Sequence, residues 1–222
     1  MNIDALKNYM PYVYMDEKEP FKPIAIGYHV YDETADSVSF KRSITVDKEV
    51  VDYVIEYAIY WDYDIQHMYD LEHVWIYVDY KGEVVDCEAS FHGKILKSFK
   101  TDKSNRIDGH ILLYCQPGKH AFSPYSEVFE LLPDFISAAS KTEKDGGLHT
   151  NPFVRGRTDT SDEIQEIANR ALAYYKFVPS RKYKLTTLDE IALMKWEALY
   201  DKIPGYLEAE IKCFLQKEEA CI

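Results

Sequence analysis

Residues 51–61, VDYVIEYAIYW, alternate with a two-residue period that predicts a strand carrying Tyr53, Ile55, Tyr57, Ile59 and Trp61 on one face. Shorter β-type runs precede it at 23–31, PIAIGYHVY, and 36–45, DSVSFKRSIT, separated by the turn-like DETA. Downstream, EHVWIYVDY and EVVDCEASFH flank Lys81-Gly82 and predict a hairpin, and GHILLYCQPGKHAF adds a strand with a turn at Pro117-Gly118.

The pattern changes after residue 140. Residues 141–160, KTEKDGGLHTNPFVRGRTDT, are polar and weakly patterned and predict a long loop. Two helical stretches follow, each opening on a capping-box pattern, Thr160 with Glu163 and Thr187 with Glu190. Pro204 is suited to the first turn of a further helix. The apolar spacing of Ile191, Met194 and Leu199 fits a tail that covers a sheet face. The chain therefore reads as mainly β, an antiparallel core over residues 1–140, with residues 141–222 forming a long loop and C-terminal α-helices packed on the same domain.

Composition narrows the functions this core can serve. Against 38 acidic residues stand 26 Lys and Arg, a formal charge of -12 that repels phosphate backbones and anionic lipid. Nucleic acid is thus not an expected partner. No apolar run approaches the length of a membrane span, so no integral membrane segment is expected. The opening MNIDALKNYMPYVYMDEKEP has no basic start, apolar stretch or small-residue cleavage site. Cys87, Cys115, Cys213 and Cys221 form no CxxC pair, and the expectation is a cytoplasmic protein with reduced thiols, Cys87 and Cys115 in the core. The 19 tyrosines suit strands, and exposed ones would suit a glycan-binding surface.

The candidate chemistry lies in YWDYDIQHMYDLEHVWIYVD, residues 60–79. In a strand, Asp70 and Glu72 project together ahead of Val74, Ile76 and Val78, with His67 on the entering loop. Paired carboxylates repel unless one keeps its proton or a cation sits between them. Oxygen donors suit Mg²⁺, Ca²⁺ or Mn²⁺, and each added imidazole moves the preference toward Zn²⁺. Alternation turns His73 to the opposite face with Trp75 and Tyr77, as a packing or hydrogen-bonding residue. Whether Glu72 lies across the hairpin from His92 or from Phe91 depends on a register that the pattern leaves open.

These residues resemble a known family. HMYDLEHVWIYV is similar to the H-x-x-D-W-E-H-V segment of the necrosis- and ethylene-inducing-peptide-like proteins, and to a related vacuolar protein sorting family. YMPYVYMDEKEPFKP, EYAIYWDYD, EASFHG and LYCQPGKHAF resemble further family segments, in matching order over residues 9–122. Leu71 and Gln66 stand where the family has Trp and Gly. The resemblance implies an antiparallel β-sandwich with a divalent metal in an acidic cavity. It implies Asp64, His67, Asp70 and Glu72 as ligands, with Asp62 the alternative to Asp64. His92 and His120 are then expected as ligands, as partners orienting a carboxylate, or as catalytic bases, and His149 as a cover from the long loop. Two functions follow as expectations. One is recognition of a small-molecule, glycan or lipid-headgroup ligand at the metal. The other is a metal-dependent hydrolase acting on an ester or phosphate bond.

Overall fold

The computed structural model describes residues 2–141 and 146–220. In chain order it runs α1 (Ile3–Lys7), β1 (Tyr12–Asp16), β2 (Ala25–Tyr31), β3 (Ala35–Asp36), β4 (Ser43–Ile44), β5 (Tyr53–Tyr63) and β6 (Met68–Val78). There follow β7 (Val84–Phe91), β8 (Lys94–Lys97), β9 (Arg106–Ile107), β10 (His110–Cys115), β11 (Phe122–Ser123), α2 (Glu127–Glu130) and α3 (Phe135–Ser140). The chain ends with α4 (Asp162–Ala173), β12 (Tyr183–Thr186), β13 (Ala192–Lys195) and α5 (Trp196–Ala220).

Two sheets sandwich one apolar core. The larger has the order β13-β2-β5-β6-β7-β8 and the smaller β11-β10-β1-β12, with β9 attached to β10. Val13, Met15, Ile111 and Leu113 from the smaller sheet join Ile55, Tyr57, Ile59, Val74 and Ile76 from the larger in a continuous buried cluster. Consecutive strands from β5 to β8 pair antiparallel, as hairpin connections require. Two pairings are parallel, β1 with β10 and β2 with β13, and both join strands distant in sequence. Cys87 and Cys115 are buried in this core, and Cys221 lies outside the described residues.

The β6–β7 ladder settles the hairpin register. Val78 pairs with Val84, a bulge follows between Tyr77 and Val78, and Tyr77 to Val74 then pair with Asp86 to Ala89. The bulge adds one residue on β7, which puts the site end of the hairpin in the register that keeps His92 from lying across from Glu72.

Four expectations are corrected. Residues 36–45 hold only the ends of a short ladder; between β3 and β4 the Ser37 and Ser39 hydroxyls turn inward to buried Glu56 on β5, while Ser37 Oγ accepts from the Ser39 and Phe40 N–H groups, so side-chain bonds replace the strand ladder. The Thr160–Glu163 box does not form: α4 starts at Asp162, and the Ser161 N–H donates to Asp159 Oδ1 at 2.9 Å, which holds the chain in a turn before the helix. The expected helix at Thr187–Glu190 is replaced by β13, because Ala192–Lys195 satisfy the open edge of β2. Pro204 lies inside α5 instead of starting a helix. A proline there leaves the carbonyl four residues back without its donor, and Arg157 Nη2 supplies one to Tyr200 O at 2.8 Å. The Arg157 guanidinium also lies over the Tyr200 ring at 3.7 Å.

Residues 141–222 therefore contribute an edge strand to each sheet as well as helices. Helix α5 covers the outer face of β2, where a Cβ on Gly27 would meet Leu199 Cδ2 at 3.0 Å and Trp196 Cε3 at 3.1 Å, so the close approach needs glycine. Of the expected loop, 142–145 lie outside the described residues, and Leu148 bridges in parallel to Met68 at the mouth of β6.

Candidate functional site

On the inward face of β6 the apolar file of Val78, Ile76 and Val74 ends in Glu72 and Asp70, both buried. They open onto a cavity of about 560 Å³ that is also lined by Asp64, His67, His92 and His149. Tyr69, just before Asp70, has a positive φ of 78°, unusual for a bulky residue. This bend brings the Tyr69 carbonyl within 3.0 Å of His67 Nδ1. A carbonyl only accepts, so Nδ1 is the donor in that contact and Nε2 is turned toward the cavity side of the ring, facing Asp64. Nε2 lies 3.4 Å from Asp64 Oδ2, so the ring and the carboxylate face one another across the same space. An imidazole whose other N–H is anchored to a backbone carbonyl is the usual geometry of a metal-ligating histidine.

Asp64 is fixed by its own turn. Its Oδ1 accepts from the N–H groups of Gln66 and His67, each at 2.6 Å. Its Oδ2 lies 2.5 Å from Lys119 Nζ. Asp62, the alternative ligand, faces elsewhere: Oδ1 accepts from the Tyr60 hydroxyl at 2.9 Å, and burial with Glu210 nearby pushes its carboxyl up to about 6. The structure thus brings Asp64, not Asp62, to the cavity with His67, Asp70 and Glu72.

Lys119 and His120 reach the site from one tight turn. Gly118 has φ +71°, and a Cβ there would meet Ala139 Cα and Ile65 Cγ1 at 2.9 Å. Its N–H donates to Glu19 Oε2 at 2.7 Å, and its carbonyl accepts from Ile65 N–H at 2.9 Å, which bolts this turn to the Asp64 turn. His120, also at positive φ, is fully buried and stacked on Trp61. Its Nδ1 meets Asp70 Oδ2 at 2.7 Å and its Nε2 lies 3.6 Å from Glu19 Oε1. Burial opposes its charge, but the hydrogen bond to Asp70 and the nearby Glu19 carboxylate prevail and raise it to about 10, which favours the imidazolium at neutral pH. Of the roles expected for His120, this is that of a carboxylate's partner.

Among the described residues no cation is paired with Glu72. Ser90 Oγ donates to it, and burial followed by the neighbouring Asp70 pushes its carboxyl well above the usual carboxylate range. Four carboxyl groups, Glu19, Asp64, Asp70 and Glu72, thus share two cations, Lys119 and His120.

The remaining histidines divide. His92 is exposed at the cavity with Nε2 2.6 Å from Gln116 Oε1, and it is the one of the two expected catalytic histidines that lines the cavity. His149 stacks on His67 at 4.7 Å, held there because the Met68 and His149 backbones pair around Leu148. His73 points to the other face, as alternation predicts, stacked on Trp75, with Nε2 donating to Ser39 Oγ at 2.9 Å. The Ser39 hydroxyl in turn donates to Glu56, which also accepts from Tyr31, Ser37 and Trp75. This buried network backs the Ser37–Lys41 wall of the cavity. Among the described residues no three His, Cys, Asp or Glu side chains converge as a ready cage, because Asp64 turns to Lys119 and Asp70 to His120.

Sequence reasoning missed Lys119, Ser90, Glu19 and Glu56. The first three lie in the segments GKHA, SFHG and DEKEP that carried the family resemblance, so position beside a candidate was their one signal. Glu56 sits mid-strand with nothing local to mark it.

No family model matches the sequence, and no curated protein matches it. Among solved structures, the chain is similar to Necrosis and Ethylene inducing Protein 2 from the causal agent of cocoa's Witches Broom disease. The identity is 15% over 55% of this chain and 68% of that one, with a TM-score of 0.36. It is also similar to NLPPya in complex with glucosamine (17% identity, 55% and 66% of the two chains, TM-score 0.38) and in complex with mannosamine (16%, 78% and 90%, 0.35). These neighbours are necrosis- and ethylene-inducing-type proteins with the β-sandwich fold, at low identity.

Proposed function

We propose that the cavity holds a divalent cation at Asp70 and Glu72, with Asp64 and His67 completing the donors, and that this ion recognises a sugar or lipid headgroup. The observation that carries the reading is the surplus of carboxyl groups, four beside two internal cations among the described residues, with Glu72 left to a hydroxyl. A hard ion that keeps part of its water shell needs only one or two carboxylates, which suits Mg²⁺ and, with more donors, Ca²⁺ or Mn²⁺. The anchored His67 ring adds a nitrogen and keeps Zn²⁺ within reach of the donor set. Bound there, the ion supplies a positive centre that binds hydroxyl or phosphate oxygens. The chain supplies apolar lining from Phe40, Pro152 and Phe153, surfaces of the kind against which a sugar ring packs.

Elemental analysis of the wild type and of the Asp70→Asn/Glu72→Gln variant tests the ion. About one ion per chain, lost in the variant, is expected. An equal ion content in the two proteins sinks the reading. Calorimetry with glucosamine and mannosamine, with and without chelator, tests the ligand. Binding that chelator abolishes is expected, and binding indifferent to chelator rejects a role for the ion in recognition.

A further inference from the structure

We infer that Lys119 is an internal competitor for the cavity's cation: its ammonium occupies Asp64, and a divalent ion gains that carboxylate only by displacing it. The inference rests on the proposed cation site and concerns what limits its affinity. Lys119 Nζ lies 2.5 Å from Asp64 Oδ2, with the lysine side chain 13% exposed and the aspartate 2%. The other oxygen of Asp64 already accepts two backbone N–H groups, so Oδ2 is the oxygen open to a cation. The contact is built in. Gly118, confined by its φ and by Ala139 and Ile65, leads directly into Lys119, and the Ile65 N–H to Gly118 O bond holds the two turns together. The next residue, His120, goes beneath Asp70 instead. Two consecutive residues thus neutralise two different carboxylates, and Lys119 is the one that lines the cavity.

A fixed positive charge at a donor oxygen opposes a divalent ion twice, by repulsion and by using the oxygen. Both effects act in a partly desolvated cavity, where charges couple more strongly than in water. Lysine suits this role because its ammonium is a compact charge on a flexible stem that swings away when displaced. By linkage, an ion that displaces Lys119 must free it to solvent to the same degree that Lys119 weakens the ion.

The test is Mn²⁺ binding, followed by electron paramagnetic resonance and calorimetry, on wild type, Lys119→Met, Lys119→Arg and Asp70→Asn/Glu72→Gln. Lys119→Met is expected to tighten Mn²⁺ by about tenfold or more, whereas Lys119→Arg, which keeps the charge, shows no such tightening. Equal or weaker binding by Lys119→Met overturns the inference. If Asp70→Asn/Glu72→Gln still abolishes binding in that case, the cation site stands and only the role of Lys119 falls. Should neither wild type nor Lys119→Met bind Mn²⁺, both fall. A second measurement on the wild type covers a Lys119→Met chain that does not fold. Amine acetylation of Lys119, read by mass spectrometry, is expected to rise when Mg²⁺ is added. Mg²⁺ binding that leaves the labelling unchanged overturns the inference as well.

Discussion

His120 Nδ1 lies 2.7 Å from Asp70 Oδ2 with the imidazole wholly out of solvent, so each group is the other's condition for being buried. Replacing His120 with Ala strands the Asp70 carboxylate and Glu19 together. Loss of one partner from a buried pair costs about 3–5 kcal/mol. Urea unfolding of His120→Ala is expected to show a drop of that size. A loss below about 1 kcal/mol, the range of a surface pair, would mean that the pair is solvated.

Glu56 anchors the wall of the cavity from behind. Tyr31, Ser37, Ser39 and Trp75 all donate to it, and although burial opposes its ionisation, His73 and these donors hold its pKa below the usual carboxylate range. Glu56→Ala leaves these donors unmatched and is expected to cost about 3 kcal/mol or more. Glu56→Gln, which keeps an acceptor oxygen, should cost less. Hydrogen exchange is expected to quicken in residues 37–41 in the Ala variant, and an unchanged rate there would rule out this support of the cavity wall.

Glu88 makes stability depend on acid pH. Burial opposes its charge, but Tyr77, Arg42 and Lys97 hold its pKa below the usual value. Arg42 Nη2 lies 2.6 Å and Lys97 Nζ 3.0 Å from its oxygens. A depressed carboxylate contributes stability above its unfolded pKa, and that contribution is lost as pH falls through the folded value. Melting temperature should therefore decline below about pH 4.5, and Glu88→Gln should flatten that part of the decline. Parallel curves for the two proteins would contradict it.

Arg157 and Pro204 form a testable couple. The guanidinium replaces the backbone donor that the proline lacks at Tyr200. Arg157→Ala is expected to cost about 1–3 kcal/mol by leaving that carbonyl unpaired. In a Pro204→Ala background the restored N–H should remove part of that cost. A double-mutant cycle by thermal unfolding measures the coupling, and strict additivity would exclude it.

Much of this protein was legible in local pattern. Alternation located β5 and β6 and put Asp70 and Glu72 on one face and His73 on the other, and the clustered His67, Asp70 and Glu72 line one cavity. Those are properties of neighbours in the chain, set by the two-residue period of a strand. What local pattern misjudged was decided by partners far away. Residues 187–195 carry helical signals, yet an open edge on β2 makes 192–195 a strand. Pro204 belongs in a first turn by preference, yet Arg157, 43 positions from Tyr200, lets the helix run through it. The choice of Asp64 over Asp62 and the pairing of Lys119 with Asp64 and His120 with Asp70 likewise come from packing one turn against another. Charge compensation acts through space between groups fifty or more positions apart, so no spacing rule along the chain encodes it.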